Sequence, residues 1–310
     1  MRIPAQNGHL AVVQYLVQAG ADKDTVNIRN ITPLYVAAEN GYCHVVQYLV
    51  QAGADKGIAH REGSTPLWIA SARGHLKIVQ YLIGHGAVID SKTIYGATAL
   101  YVAAQMGRLE VVQYLLQQGA EKNMATFDEG NSPMMTAVVW KQLEVVQCLI
   151  GHGADIQITN HEGWSPLLTA ALHGFTAIVQ SWLEAGADRD KVVEISKDTP
   201  LHLACRRGHL DTVRCLLLHF ADTKAINSRG RTPMDVAASE EIKQAIRDEE
   251  RRRYDASFGM KRIPPADLLP STAVEEQGED EDSDESSDGD SDDDDNDDAD
   301  STDGLGTNEC

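Results

Sequence analysis

The pattern of apolar and polar positions repeats itself along most of the chain. In Ile31-Thr-Pro-Leu-Tyr-Val-Ala-Ala-Glu-Asn-Gly41 a Thr-Pro pair precedes a short apolar run that ends in glycine. A second run, Val45-Val-Gln-Tyr-Leu-Val-Gln-Ala-Gly-Ala-Asp55, follows at once. Aligned on Thr-Pro or its stand-in, the copies begin at Thr32, Thr65, Thr98, Ser132, Ser165, Thr199 and Thr232, with spacings of 33, 33, 34, 33, 34 and 33 residues. A fixed period of this size predicts stacked units, none of which can bury its apolar face alone.

Each unit reads physically as two short helices. Thr32 can accept an orphan backbone N–H of the first turn, and Pro33 fits the first helical position, where a missing N–H costs nothing. Leu34, Ala37 and Ala38 give this helix a small apolar face, and Gly41 marks its end. Val45, Val46, Tyr48, Leu49 and Val50 supply the contacts of the second helix, which Gly53 ends in a left-handed conformation. A turn-rich connection of about ten residues, Gly53 to Gly63, leads to the next unit.

Several copies depart from this pattern. Ala99 follows Thr98 where the others have proline, and Ser replaces Thr at 132 and 165. The corner glycine becomes Lys141, the hairpin glycine becomes Asn30 and Lys197, and Phe220 stands at the helix-ending glycine. Asn accepts the left-handed region; Lys does so poorly. The extra residue of each 34-residue spacing falls after Gly119 and after Gly186, in the connecting fingers, where insertion costs little. Ala5-Gln-Asn-Gly8 matches Ala38-Glu-Asn-Gly41 in register, so the chain opens inside a first helix. Two expectations follow: a start that lies upstream, or a frayed half-repeat.

The residues Thr65-Pro66-Leu67, Ala70, Gly74-His75, Ile78-Val79 and Gly86-Ala87 resemble the ankyrin-repeat family. The resemblance implies an all-α fold, an ankyrin-repeat α-solenoid of stacked helix-turn-helix units with hairpin fingers. It divides the chain into an incomplete repeat over 1–30, six repeats over 31–231 starting near 32, 65, 98, 132, 165 and 199, and a capping half-repeat over 232–253. Thr232-Pro233 opens that last unit, whose charged helix keeps only Ile242 and Ile246 as strong apolar contacts. A Pro-containing linker over 254–270 and an acidic tail over 271–310 complete the chain.

In this family the fingers and first helices line a concave face. The resemblance therefore points to positions four, three and one residues before each Thr-Pro, and seven and eight after it. They hold Ile94, Tyr95, Gln105 and Met106, then Asp128, Glu129, Val139 and Trp140, then His161, Glu162, Trp164, Leu172 and His173. Tyr95, Met106, Trp140, Trp164 and Leu172 are expected to be exposed, and with His173 they form the candidate partner surface. Tyr35, Trp68 and Tyr101 occupy the family's His position and are expected to be partly buried.

Charge adds one element. The formal net charge is −20, yet residues 271–310 hold 19 Asp and Glu and no Lys or Arg, leaving 28 acidic against 27 basic side chains elsewhere. The repeats are nearly neutral and the tail carries the acidity. That composition predicts disorder. Ser287-Asp-Gly-Asp290 and Ser291-Asp-Asp-Asp294 resemble acid-directed phosphorylation sites at Ser287 and Ser291.

Catalytic signatures are absent: no Gly-rich loop followed by Lys-Ser/Thr, no Gly-x-Ser-x-Gly. The five cysteines form no disulfide framework, and four of them sit at helical repeat positions. His202, Cys205 and His209 are the best metal candidate and lack a fourth ligand of suitable spacing. The arginines at 206, 207, 229, 231 and 251–253 read as a solvated cluster paired with Glu240, Glu241, Glu249 and Glu250 rather than a nucleic-acid stripe. No apolar run reaches membrane-spanning length, and the cysteine usage suits cytoplasm or nucleus.

The expectation is a non-enzymatic protein-interaction scaffold or adaptor, with no cofactor, metal, small-molecule substrate, nucleic acid or membrane. Two alternatives stay open: an acidic-tail chaperone-like module for basic proteins, and the targeting segment of a larger enzyme.

Overall fold

A computed structural model describes residues 1–257. Residues 1–254 form one compact unit, and the second unit, Asp255–Glu309, is described only where it continues the last helix. Ser287 and Ser291, most of the linker and the acidic tail lie outside the described residues.

The described residues are helical without strands. Helix pairs follow in order: α1 (Arg2–Gln6) and α2 (Leu10–Gln18), α3 (Pro33–Glu39) and α4 (Cys43–Gln51), α5 (Pro66–Arg73) and α6 (Leu76–Gly84). Then come α7 (Ala99–Gln105) and α8 (Leu109–Gln117), α9 (Pro133–Val139) and α10 (Leu143–Gly151), α11 (Pro166–His173) and α12 (Thr176–Glu184), α13 (Pro200–Arg207) and α14 (Leu210–Leu218). First helices pack on first helices of the neighbouring repeats, and second helices on second helices.

Local chemistry fixes each pair. Thr32, Thr65, Thr98, Ser132, Ser165 and Thr199 all take β-region backbone and accept the N–H three residues on, so six of the seven first helices, α3 to α13, carry side-chain N-caps, and α1 does not. Between the two helices the chain turns through one left-handed residue. The side chain at the corner position then reaches back to the preceding first helix. His75 Nε2 lies 3.1 Å from the Glu39 carbonyl, Arg108 Nε donates to Ala72 O at 3.1 Å, and His209 Nε2 lies 3.1 Å from Leu172 O. These contacts satisfy helix-end carbonyls that would otherwise be orphaned.

The four non-glycine residues at glycine positions all keep the left-handed backbone: Asn30 at φ 60°, Lys141 at 57°, Lys197 at 54° and Phe220 at 62°. The fold demands that conformation even where an L side chain resists it.

The fingers are closed by a backbone bond across their base, as in Thr93 N–H to Ala97 O at 3.0 Å. Neighbouring fingers join through single bonds such as Ile94 N–H to Glu62 O at 2.9 Å, Phe127 N–H to Tyr95 O at 2.8 Å and His161 N–H to Glu129 O at 3.0 Å. The two 34-residue spacings are accommodated at the finger tips: the base bonds become Thr126 N–H to Asn131 O and Val193 N–H to Asp198 O, one residue longer. In the first of these fingers Phe127 donates and Glu129 accepts, so Asp128 is the inserted residue. Counting back from Ser132 placed Asp128 at the position equivalent to Ile94; Phe127 holds it.

The last unit departs from the others. Residues 233–236 form a turn, not a helix, although Asp235 Oδ2 still accepts the Thr232 N–H and hydroxyl at 2.8 and 2.7 Å. The charged α15 (Glu240–Ser257) buries Ile242 and Ile246 completely. Arg253 links it to α14, donating to Leu217 O at 2.9 Å and Ala221 O at 3.0 Å while its Nε meets Glu249 at 2.8 Å. Of the arginines expected to pair with acidic neighbours, Arg252 and Arg253 meet Glu249 and Arg206 meets Asp198, while Arg207, Arg229, Arg231 and Arg251 form no ion pair among the described residues. Glu240 pairs with Arg247, and Glu250 with Lys224.

Candidate protein-interaction surface

Six large apolar side chains between residues 94 and 140 are exposed: Ile94 (59%), Tyr95 (51%), Met106 (44%), Phe127 (60%), Val139 (49%) and Trp140 (55%). They occupy two adjacent fingers and the C-terminal ends of α7 and α9. The fingers are bonded to each other and the helices packed together, so successive repeats present these side chains side by side. Met106 and Trp140 are the C-cap residues of their helices, and their N–H groups still bond Val102 O and Thr136 O. The backbone is therefore satisfied while the side chains stay in solvent.

The next repeat behaves differently. Trp164 and Leu172, expected to be exposed, are half-buried and pack against a buried cluster of Leu168, Val193 and Leu203. A side chain one position before Thr-Pro sits at the finger base and meets the first helix beside it, which the count alone did not reveal. His173 is exposed and stacks on Phe175, ring centroids 5.5 Å apart. Three of the six candidate side chains, Tyr95, Met106 and Trp140, thus lie with Ile94, Phe127 and Val139 on the exposed patch. Trp164 and Leu172 form its half-buried margin with His173 beside them. Phe127 was missed because the inserted Asp128 shifted the count; the signal was the extra residue after Gly119.

Polar groups around the patch are well defined. Asp128 Oδ1 accepts the Glu129 N–H at 2.8 Å. That bond, the Thr126 hydroxyl and nearby His161 hold the Asp128 carboxyl below its ordinary range. His161 Nδ1 lies 2.9 Å from Asp128 O. Lys92 and Lys141 lie over the rings of Phe127 and Phe175 at 5.4 and 5.5 Å.

The aromatic residues at the third position of the first helices are inward. Tyr35 is buried with its hydroxyl 3.2 Å from Ser64 Oγ, and burial raises the pKa of both Tyr35 and Tyr101. Tyr101 and Trp68 are half-buried, as expected. The Trp68 Nε1 is buried without a hydrogen-bond partner among the described residues.

The metal candidate is taken up by packing. His202 is fully buried; its Nδ1 meets the Thr199 N–H and hydroxyl at 3.2 and 2.9 Å, and its Nε2 meets Arg231 O at 2.9 Å. Both ring nitrogens are occupied by the protein. Burial pushes the Cys205 thiol up to about 12, far from a reactive thiolate. Among the described residues no group of three or more His, Cys, Asp or Glu side chains is placed to hold a metal ion.

Capped helix pairs, left-handed corners and bonded fingers define a class of repeat protein, and the comparisons give it its family. The chain belongs to the ankyrin-repeat family: the profile described as ankyrin repeats (3 copies) matches residues 3–60, 34–126, 74–160, 123–193 and 167–247. It is similar to ankyrin repeat and SOCS box protein 11 of Danio rerio, 45% identical over 49 residues. That match spans 16% of this chain and only 17% of the relative's length. The crystal structure of the human ASB11 ankyrin repeat domain matches with a TM-score of 0.53 and 22% identity, over 80% of this chain and 96% of that one. At this identity the likeness is one of fold. The ankyrin repeat is a general protein–protein interaction fold. No helix among the described residues is long and apolar enough to cross a membrane.

Proposed function

We propose that this chain is a non-enzymatic interaction scaffold or adaptor whose partner polypeptide docks across the finger tips and first-helix ends of the middle repeats. The concentration of Ile94, Tyr95, Met106, Phe127, Val139 and Trp140 on two neighbouring repeats carries the reading. Exposed apolar residues also occur in the first repeat, as Ile3, Val12, Tyr15, Val26 and Ile28, and around Leu218, Phe220 and Ile226, but Tyr, Met, Phe and Trp side chains are exposed together in the middle repeats. Trp, Tyr and Met are the residue types enriched in interface cores, and two of the three are frequent hot spots. Cys43, Cys148, Cys205 and Cys215 form no disulfide among the described residues, which suits cytoplasm or nucleus.

The test is a selection of short random peptides displayed against the full chain. Binders that lose tenfold or more in affinity with Tyr95→Ala or Trp140→Ala, at unchanged melting temperature, support the surface. Binders indifferent to both substitutions overturn it.

A further inference from the structure

The exposed apolar patch is bordered by carboxylates. Glu62, Asp128, Glu129, Glu162 and Glu194 stand on four of the five fingers running from the second to the sixth, and all are exposed. Among the described residues none of them forms an ion pair. Neutral groups of the chain itself hold two of them: the Glu129 N–H on Asp128, and the Asn131 amide on Glu129.

The cationic side chains nearby are engaged differently. Lys92 and Lys141 lie over aromatic rings, Arg108 donates to Ala72 O, and Arg73 pairs with Glu39. His161 turns its Nδ1 to a backbone carbonyl. Arg61 is exposed on the second finger beside Glu62; its N–H bonds Arg29 O, so it holds the place of Ile94 one finger earlier. Further out, Arg29 stands on the first finger and Arg229 and Arg231 on the last, while the sixth finger carries Lys197 beside Glu194, and its buried Asp198 is paired with Arg206 at 2.8 Å. Carboxylates therefore stand on one of the two fingers of the patch, through Asp128 and Glu129, and on both fingers that flank it, through Glu62 and Glu162, with Glu194 one finger further on.

From this arrangement, and resting on the interaction surface argued above, we infer that the partner segment is a basic amphipathic polypeptide. Its apolar anchors cover Tyr95, Met106, Phe127 and Trp140, and its Lys or Arg side chains meet the finger carboxylates. Uncompensated like charges repel one another, and a cationic partner relieves that repulsion while an acidic one adds to it. Exposed carboxylates also steer a cationic segment to the patch, and salt weakens that steering.

The probes are two synthetic 18-residue amphipathic helices sharing one pattern of leucines, one with lysine and one with glutamate at every polar position. Each is titrated into the full chain at physiological salt. The lysine peptide is expected to bind at least tenfold tighter. Its advantage should shrink several-fold when Asp128→Asn, Glu129→Gln and Glu162→Gln are combined, and Trp140→Ala should weaken it tenfold, both variants melting as the parent does. Equal binding of the two peptides overturns the charge inference alone, provided binding still depends on Trp140. An advantage untouched by the finger substitutions also overturns it, since the preference then resides in the acidic residues 271–310. Indifference to Trp140→Ala brings down the interaction surface itself.

Discussion

Replacing His202 by Ala gives the sharpest test of how one repeat is locked to the next. The neutral ring accepts from the Thr199 N–H through Nδ1 at 3.2 Å and donates through Nε2 to Arg231 O at 2.9 Å. It thereby closes the capping box of α13 and ties that helix to the last finger. Arg231 O keeps a second donor, the Asn227 N–H at 3.0 Å, so the main orphan is the Thr199 N–H. Two hydrogen bonds at about 1 kcal/mol each, with a similar amount for the void, give a loss of about 3 kcal/mol.

Burial holds the His202 pKa below its ordinary 6.5, against the opposing pull of the Arg231 carbonyl and Asp198. Protonation would place a hydrogen on Nδ1, where the Thr199 N–H already points. Because the folded value is depressed, the unfolded chain binds the proton first as pH falls. The stability from His202 is full above 6.5 and is lost as pH falls from there toward the folded value. Urea unfolding of the parent and of His202→Ala, at about pH 8 and about pH 5.5, reads both effects. The gap between the two proteins should be about 3 kcal/mol at the higher pH and smaller at the lower. A gap below about 1 kcal/mol, or one that grows on acidification, refutes the reasoning.

Three further outcomes follow from local geometry. Lys197→Gly removes an exposed L side chain from φ 54° and should raise stability by about 0.5–1 kcal/mol in urea unfolding, net of the entropy glycine adds to the unfolded chain. Trp182→Ala deletes a fully buried ring and its 3.0 Å bond to Ile156 O, and thermal or urea unfolding should show a loss of about 3–5 kcal/mol. Ala97 stands where Ser64 meets the hydroxyl of Tyr35 one repeat earlier; Ala97→Ser offers the unpaired Trp68 indole an acceptor and should add about 1 kcal/mol, read as a higher urea midpoint.

Much of the fold was legible because its signals are local. Thr-Pro pairs cap helices in any context, and residues at the glycine positions keep their left-handed backbone even as Lys141 or Phe220. Contacts between residues far apart in sequence were not legible. His75, Arg108 and His209 bond carbonyls 36 or 37 residues back, and no residue pattern announces the partner. Trp164 and Leu172 looked exposed by position, but their burial depends on Val193 and Leu203 in the following repeat. The patch was half-read for a similar reason: Phe127 belongs to it only because the inserted Asp128 sits at the finger tip, which the length difference locates no more finely than the finger. Pro233 lacks a helix after its Thr-Pro start; the structure gives no local reason beyond the turn that Asp235 closes with Thr232.

The central claim is that the exposed strip serves binding rather than packing, and Trp140 tests it most directly. Its side chain is 55% exposed, whereas Trp182 is fully buried. Trp140→Ala is to be measured for melting temperature and for affinity toward a peptide selected against the full chain. The account predicts a binding loss of roughly 2 kcal/mol or more with the melting temperature nearly unchanged. Unchanged affinity, together with a fall in melting temperature comparable to that of Trp182→Ala, would contradict it.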